Sequence, residues 1–159
     1  MRRTAIAGSI VAVLAFAAVA LGATKHYTGK DKDPACSTGT PPPACTIDFD
    51  GVIRNHRVVK VKNFLFDEIP MTCDQGAYVV GNTTPTPNPL PPMKVNAQRK
   101  FGANFVDSTT SPTQFTHVDG KFSTNYKRAT GHFRFHGDFS GLGAPTGCDT
   151  GTDSWTAHR

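Results

Sequence analysis

Arg57-Val58-Val59-Lys60-Val61-Lys62-Asn63-Phe64-Leu65-Phe66 is the stretch on which the fold turns. Successive side chains of an extended chain point to opposite sides, so Val59 and Val61 share one face and Lys60 and Lys62 the other. At Asn63 the alternation slips, because Phe64 and Phe66 continue the lysine parity. One extra residue at Asn63, a β-bulge, returns both rings to the apolar face. Just upstream, Asn55-His56 reads as a turn. Thr46 to Arg54 reads as a partner strand, with Ile47 and Phe49 alternating against Asp48 and Asp50.

Outward from this pair the same grammar continues. A short strand is expected to approach Cys73, and Ala77 to Val80 to form another. Segment 81–92 holds five Pro in twelve residues, which excludes a central strand and fits a polyproline-like surface connection. Met93, Val95 and Ala97 alternate with Lys94, Asn96 and Gln98. Phe115-Thr116-His117-Val118 leads into Asp119-Gly120, a hairpin-turn dipeptide, followed by Lys121-Phe122-Ser123. Lys127 to His136 and Thr152 to Ala157 supply the last strands. Beyond residue 22 there are three Leu and one Glu, against ten Phe, thirteen Gly and all twelve Pro. Helix formers are scarce and strand and turn formers plentiful. The expectation is an all-β chain: a single antiparallel β-sandwich or jelly-roll-like domain of about 7–9 strands over residues 46–159. The chain's 159 residues exclude a (β/α)₈ barrel, which typically needs about 250.

Residues 1–22 have the layout of a signal peptide. Arg2 and Arg3 precede an uncharged, Ala-rich run of bacterial character, and small-x-small patterns end at Ala20 and Gly22. Secretion of a soluble protein follows, with retention as an uncleaved membrane anchor the alternative, since the run is just long enough to span. Residues 23–45 read as an extended polar lead-in. Cys36, Cys45, Cys73 and Cys148 all lie after the signal segment, where an oxidising compartment favours disulfides. Of the three connectivities, Cys36–Cys45 is favoured by the turn-rich loop between them, leaving Cys73 for Cys148. Removing the two signal-segment arginines leaves 15 Lys+Arg against 12 acids, about +3. That is too weak and dispersed to argue for nucleic acid.

Three features carry candidate chemistry. Asp48-Phe49-Asp50-Gly51-Val52-Ile53 resembles the first motif of the haloacid-dehalogenase phosphatases, in which Asp48 would be nucleophile and Asp50 acid/base. The family's upstream apolar strand and crossover helices have no counterpart here, so a strand with two solvent-facing acids is the preferred reading, with a loose calcium site on Asp48 and Asp50 the alternative. In Gly131-His132-Phe133-Arg134-Phe135-His136-Gly137, Phe133 and Phe135 point to the core, and His132, Arg134 and His136 form a basic stripe outside. The two histidines stand roughly 13 Å apart on a strand and cannot share one metal ion without a bend, so a basic surface stripe is preferred to a metal site; no cofactor is expected. Trp155, the only tryptophan, is read first as a core anchor and second as a sugar-stacking platform.

Cys73 after a Phe-rich strand, Asp119-Gly120-Lys121-Phe122, Ala129-Thr130-Gly131 and a closing C-x-T-G-x-x-x-W-T-A resemble a group of small secreted bacterial β-sandwich proteins of uncharacterised function. The resemblance spans most of residues 46–159 and implies no catalytic residues. The functional expectation is a secreted or cell-surface binding or structural module. The alternatives are a glycan- or envelope-polymer-binding domain using Trp155, Tyr78, Arg134, His132 and His136, or a carbohydrate-active hydrolase.

Overall fold

The computed structural model describes residues 22–79, 90–108, 113–139 and 144–159. The expected signal segment up to residue 21 and residues 81–89 of the Pro-rich connection lie outside the described residues. Eleven strands form one antiparallel sheet. They are β1 (Ala23–Asp31), β2 (Thr46–Arg54), β3 (Arg57–Asp67), β4 (Pro70–Cys73), β5 (Gly76–Val79), β6 (Met93–Lys94), β7 (Lys100–Asp107), β8 (Gln114–Phe122), β9 (Arg128–Gly137), β10 (Cys148–Asp149) and β11 (Asp153–His158). The all-β antiparallel class expected from the sequence is what the chain adopts, with eleven strands where about seven to nine were counted.

Two three-stranded meanders, β1–β2–β3 and β7–β8–β9, lie side by side with β11 paired between β1 and β9. β6 pairs with β3, β3 with β2, β2 with β1, β1 with β11, β11 with β9, β9 with β8, and β8 with β7. The two ends of this run, β6 and β7, are joined by turn 95–99. Val95 N–H donates to Val59 of β3 (3.0 Å), and Phe122 N–H of β8 donates to the carbonyl of Arg99 (3.0 Å). The sheet therefore curls back on itself around one filled core. At its centre the Phe49 ring lies 4.9 Å from Tyr27, 5.3 Å from Phe64, 5.8 Å from Trp155 and 5.9 Å from Phe101. Side chains from β1, β2, β3, β7 and β11 thus meet at a single point.

The decisive hairpin forms as its residues dictate. β2 spans the expected residues, and Asn55 and His56 both take positive φ (47° and 61°), the geometry of a tight two-residue turn. The bulge at Asn63 is present: register slips between Asp48 and Asp50 of β2, Asn63 has φ 53°, and Phe64 and Phe66 are buried. A second slip, between Val52 and Ile53, was not foreseen. It takes Val59 out of phase, so Val58, not Val59, joins Val61 in the core.

Two further readings are corrected. The lead-in over 23–45 contains β1, which pairs with β2 over Ala23–Lys30 and with β11 over Thr28–Asp31. Asp119-Gly120 is not a turn but the middle of β8, paired with β7 and β9 on either side. The hairpin turn lies later, where Ser123 N–H donates to Arg128 (2.9 Å) and Tyr126 has φ 54°.

Both expected disulfides are formed, Cys36–Cys45 and Cys73–Cys148. The second ties β4 to β10 outside the curled sheet. There β5, β4 and β10 extend as a flap over a small cluster of Met71, Cys73, Phe135 and Cys148, with Phe139 packed against it.

Candidate functional site

The basic stripe on β9 is where the sequence puts it: His132, Arg134 and His136 are exposed while Phe133 and Phe135 are buried. Two of the three side chains are already engaged. Arg134 donates to Asp149 through Nε (3.0 Å) and Nη2, a two-pronged pair across β9 and β10. The hydrogen bonds and charge of this pair hold the Asp149 carboxyl below its ordinary range and raise the Arg134 guanidinium. The Asp119 carboxylate faces His132 Nδ1 at 3.2 Å and His117 Nε2 at 3.4 Å, and His117 Nδ1 meets Asn104 at 2.6 Å. Trp155 is 0 % exposed. The sugar-stacking platform is overturned because the ring is needed between Phe49, Phe64 and Phe101.

A depression of about 560 Å³ opens beside this stripe, on the outer face of β7, β8, β9 and β11. Its construction follows from register. Phe101, Gly120, Gly131 and Trp155 are direct partners across the four strands, so they form one inward row. The two glycines make space for the flanking rings. A Cβ at Gly120 would lie 2.4 Å from Phe101 Cζ and 2.9 Å from Trp155 Cζ2, and at Gly131 2.6 Å from Trp155 Cζ2. The adjacent rows face outward: Lys100, Lys121 and Thr130 on one side, Asp119, His132 and Ser154 on the other. Lys32, just past the end of β1, adds a third ammonium. Among the described residues none of these lysines is in an ion pair.

A second depression, of about 400 Å³, shares Lys121 and Thr130 with the first and is lined also by Arg99 and Arg128. The two make one continuous basic track with hydroxyl groups along it. Five cations from β1's end, turn 95–99, β7, β8 and β9 converge here although they are scattered in sequence. Of the residues lining the first depression, sequence reasoning named His132 and Trp155; it missed the cations, because a turn placed at Asp119-Gly120 does not align Lys121 with Lys100 and Thr130.

Asp48 and Asp50 do share the outer face of β2, as expected, while Ile47 and Phe49 are buried. His26 of β1 lies between them, its Nε2 3.3 Å from Asp48 and its Nδ1 3.3 Å from Asp50. Asn63 Nδ2 donates to Asp50 Oδ2 at 2.8 Å, so Asp50 pins the bulge. Among the described residues, no group of three metal-ligating side chains is placed to hold a metal ion, and no helix is long and apolar enough to cross a membrane. Comparisons with family models, with curated proteins and with solved structures give no match for this chain.

Proposed function

We propose that this is an exported, non-enzymatic binding module whose ligand is an acidic glycan of the cell envelope, held along the Lys32–Lys100–Lys121–Arg128 track. The observation that carries the reading is the continuity of two basic depressions through Lys121 and Thr130. A compact anion would need one pocket. An extended trough in which lysines and arginines interleaved with hydroxyls outnumber its one carboxylate, Asp119, matches an acidic polymer that meets the cations in turn. The signal-like residues 1–22 and the pairing of all four cysteines support export to an oxidising compartment. The fixed β-strands beneath the track favour binding over catalysis, since a rigid sheet face presents charges without closing over a substrate.

The test is affinity electrophoresis through gels containing polygalacturonate or neutral dextran, at low and at moderate salt. Retardation by polygalacturonate alone, weakened by salt and lost in a Lys100→Ala, Lys121→Ala, Arg128→Ala variant, is expected. Equal retardation by dextran, or a variant that migrates like wild type, would sink the proposal.

A further inference from the structure

We infer that Asp31, Asp33 and Asp153 form a proton-holding clasp that keeps the Cys36–Cys45 loop closed against the end of the curled sheet and releases it when the proton is lost. The inference is independent of the polymer-binding reading and concerns the opposite charge.

β1 and β11 pair through Asp31 and Trp155, and the next backbone bond runs from Lys32 N–H to the Ser154 carbonyl at 2.9 Å. Asp33 therefore arrives opposite Asp153. Asp31 and Asp33 are two apart and share a side, and Asp153 shares the inward side of Trp155. Three carboxyl groups are thus gathered where the sheet ends. Asp31 is 5 % exposed. Its Oδ1 accepts from Asp33 N–H at 3.0 Å, and Asp33 Oδ1 accepts from Ala35 N–H at 2.7 Å. Asp31 Oδ2 and Asp153 Oδ2 are buried and meet no donor.

A buried carboxylate oxygen without a donor is costly, and two on adjacent strands cannot both carry charge cheaply. A proton supplies the missing donor and removes one charge. Burial, then the neighbouring Asp31 and Asp33, push the Asp153 carboxyl up to about 7, and burial raises Asp31 as well. The other charged groups around the cluster do not relieve it. Asp149 of β10 adds to the repulsion and is itself engaged by Arg134 of β9. His136 of β9 acts on Asp149. His132 lies across from Ser154 on the outer face and faces Asp119. The Lys32 side chain lines the outer depression, and Glu68 is taken by Ala44 N–H at 2.5 Å. Substrate cannot reach oxygens this deeply covered, so the cluster is not a catalytic pair.

The loop hangs on these same residues. It leaves through Asp33, whose carbonyl accepts from Cys36 N–H (3.0 Å), and returns at Cys45, whose carbonyl accepts from Asp31 N–H (3.0 Å). Asp33, Ala35 and Pro43 line one side of a groove of about 370 Å³, and Met71 and Tyr78 of the flap line the other. Opening the clasp widens that groove. The closed state binds the proton more tightly than the open one. Closure is therefore strongest below the ordinary carboxylate range, weakens as pH rises toward about 7, and gains nothing further above it.

Hydrogen exchange of the whole chain from pH 5 to 9, corrected for intrinsic rates, reads the loop directly at the Ala35, Cys36 and Thr38 amides. Opening is expected to rise about tenfold per pH unit up to pH 7 and then to level. Asp153→Asn is expected to flatten the profile while the core amides of Phe49 and Val61 keep their protection. A flat wild-type profile, or an unchanged slope in both Asp153→Asn and Asp31→Asn, would overturn the clasp.

Discussion

The molecule holds two apolar clusters built on opposite principles. The main one takes a ring from nearly every strand of the curled sheet: Tyr27, Phe49, Phe64, Phe101, Phe122 and Trp155 all stand within about 6 Å of a neighbouring ring. The second has four buried residues under the β4–β5–β10 flap, and every residue of β5 is exposed. Where the sheet closes on itself, each strand buries one face from both directions and hydrophobic burial suffices. Where it projects as a flap, one layer covers little, and the Cys73–Cys148 bond does by connection what area cannot. A chain with three Leu beyond residue 22 fills its main core largely with aromatic rings, with Ile47, Val58, Val61 and Val118 packed among them.

The sharpest way to break this contrast is Phe49→Ala. Its ring is 1 % exposed and touches five others, so truncation leaves a cavity the rigid sheet cannot collapse. A loss of about 3–5 kcal/mol by urea denaturation is expected. A loss near 1 kcal/mol would mean the rings do not act as a unit. Next comes Cys73→Ser with Cys148→Ser. The bridge spans 75 residues, for which chain entropy gives roughly 4 kcal/mol. Here the expected signature differs: exchange protection falls first at the Thr72 and Cys73 amides of the flap, while the near-ultraviolet aromatic signal of the main core persists until global unfolding. Simultaneous loss of both would show that flap and core are one cooperative unit.

A smaller effect separates backbone need from packing. Gly120→Ala keeps β8 extended but places a methyl against Phe101 and Trp155. Displacing the far edges of two core rings is expected to cost about 1–3 kcal/mol, read by thermal unfolding and by loss of the Trp155 fluorescence environment. An unchanged melting temperature would mean the glycine row is not what seats the rings.

The same glycine explains where the sequence was legible and where it was not. The β2–β3 hairpin could be read to the residue because its signals are local: alternation in Ile47-Asp48-Phe49-Asp50, a turn at Asn55-His56, a slip at Asn63. Asp119-Gly120 carries an equally local hairpin signal, but it loses to tertiary demands. Gly120 is needed under Phe101 and Trp155, and Asp119 is held outside by His117 and His132. β1 was hidden because Ala23, Thr24, Lys25 and His26 are all exposed, which erases any burial period. Only its pairing with β2, joined by β11 from Thr28 onward, makes it a strand. The alternation rule also fixes which face is buried without saying whether that face meets a second sheet or the far side of its own. The basic track was out of reach for a further reason. Its cations come from the end of β1, from turn 95–99 and from β7, β8 and β9, and only register brings them together.

The smallest expected effect bears on the outer face of the same β2 whose inner face carries Phe49. Asp48 and Asp50 are partly exposed and flank His26 at 3.3 Å each. Exposed pairs of this kind contribute little, because solvent screens them and the side chains lose freedom in forming them. The one specific duty is that of Asp50, which accepts from Asn63 at the bulge. An asparagine at 50 still presents a carbonyl oxygen to Asn63, so the bulge keeps its pin. Asp48→Asn with Asp50→Asn is therefore expected to unfold within about 0.5 kcal/mol of wild type, an order of magnitude less than Phe49→Ala one residue away. Thermal unfolding of wild type and the double variant, each with and without added magnesium or calcium, checks this. If either ion raises the wild-type melting temperature and the double variant loses that rise, the acids are a cation site, and the outer face of β2 is more than the wet side of a core strand. If the double variant loses several kcal/mol without any ion, the bulge depends on the charge of Asp50 and not on its shape, and Asp50→Ala against Asp50→Asn would then separate the two.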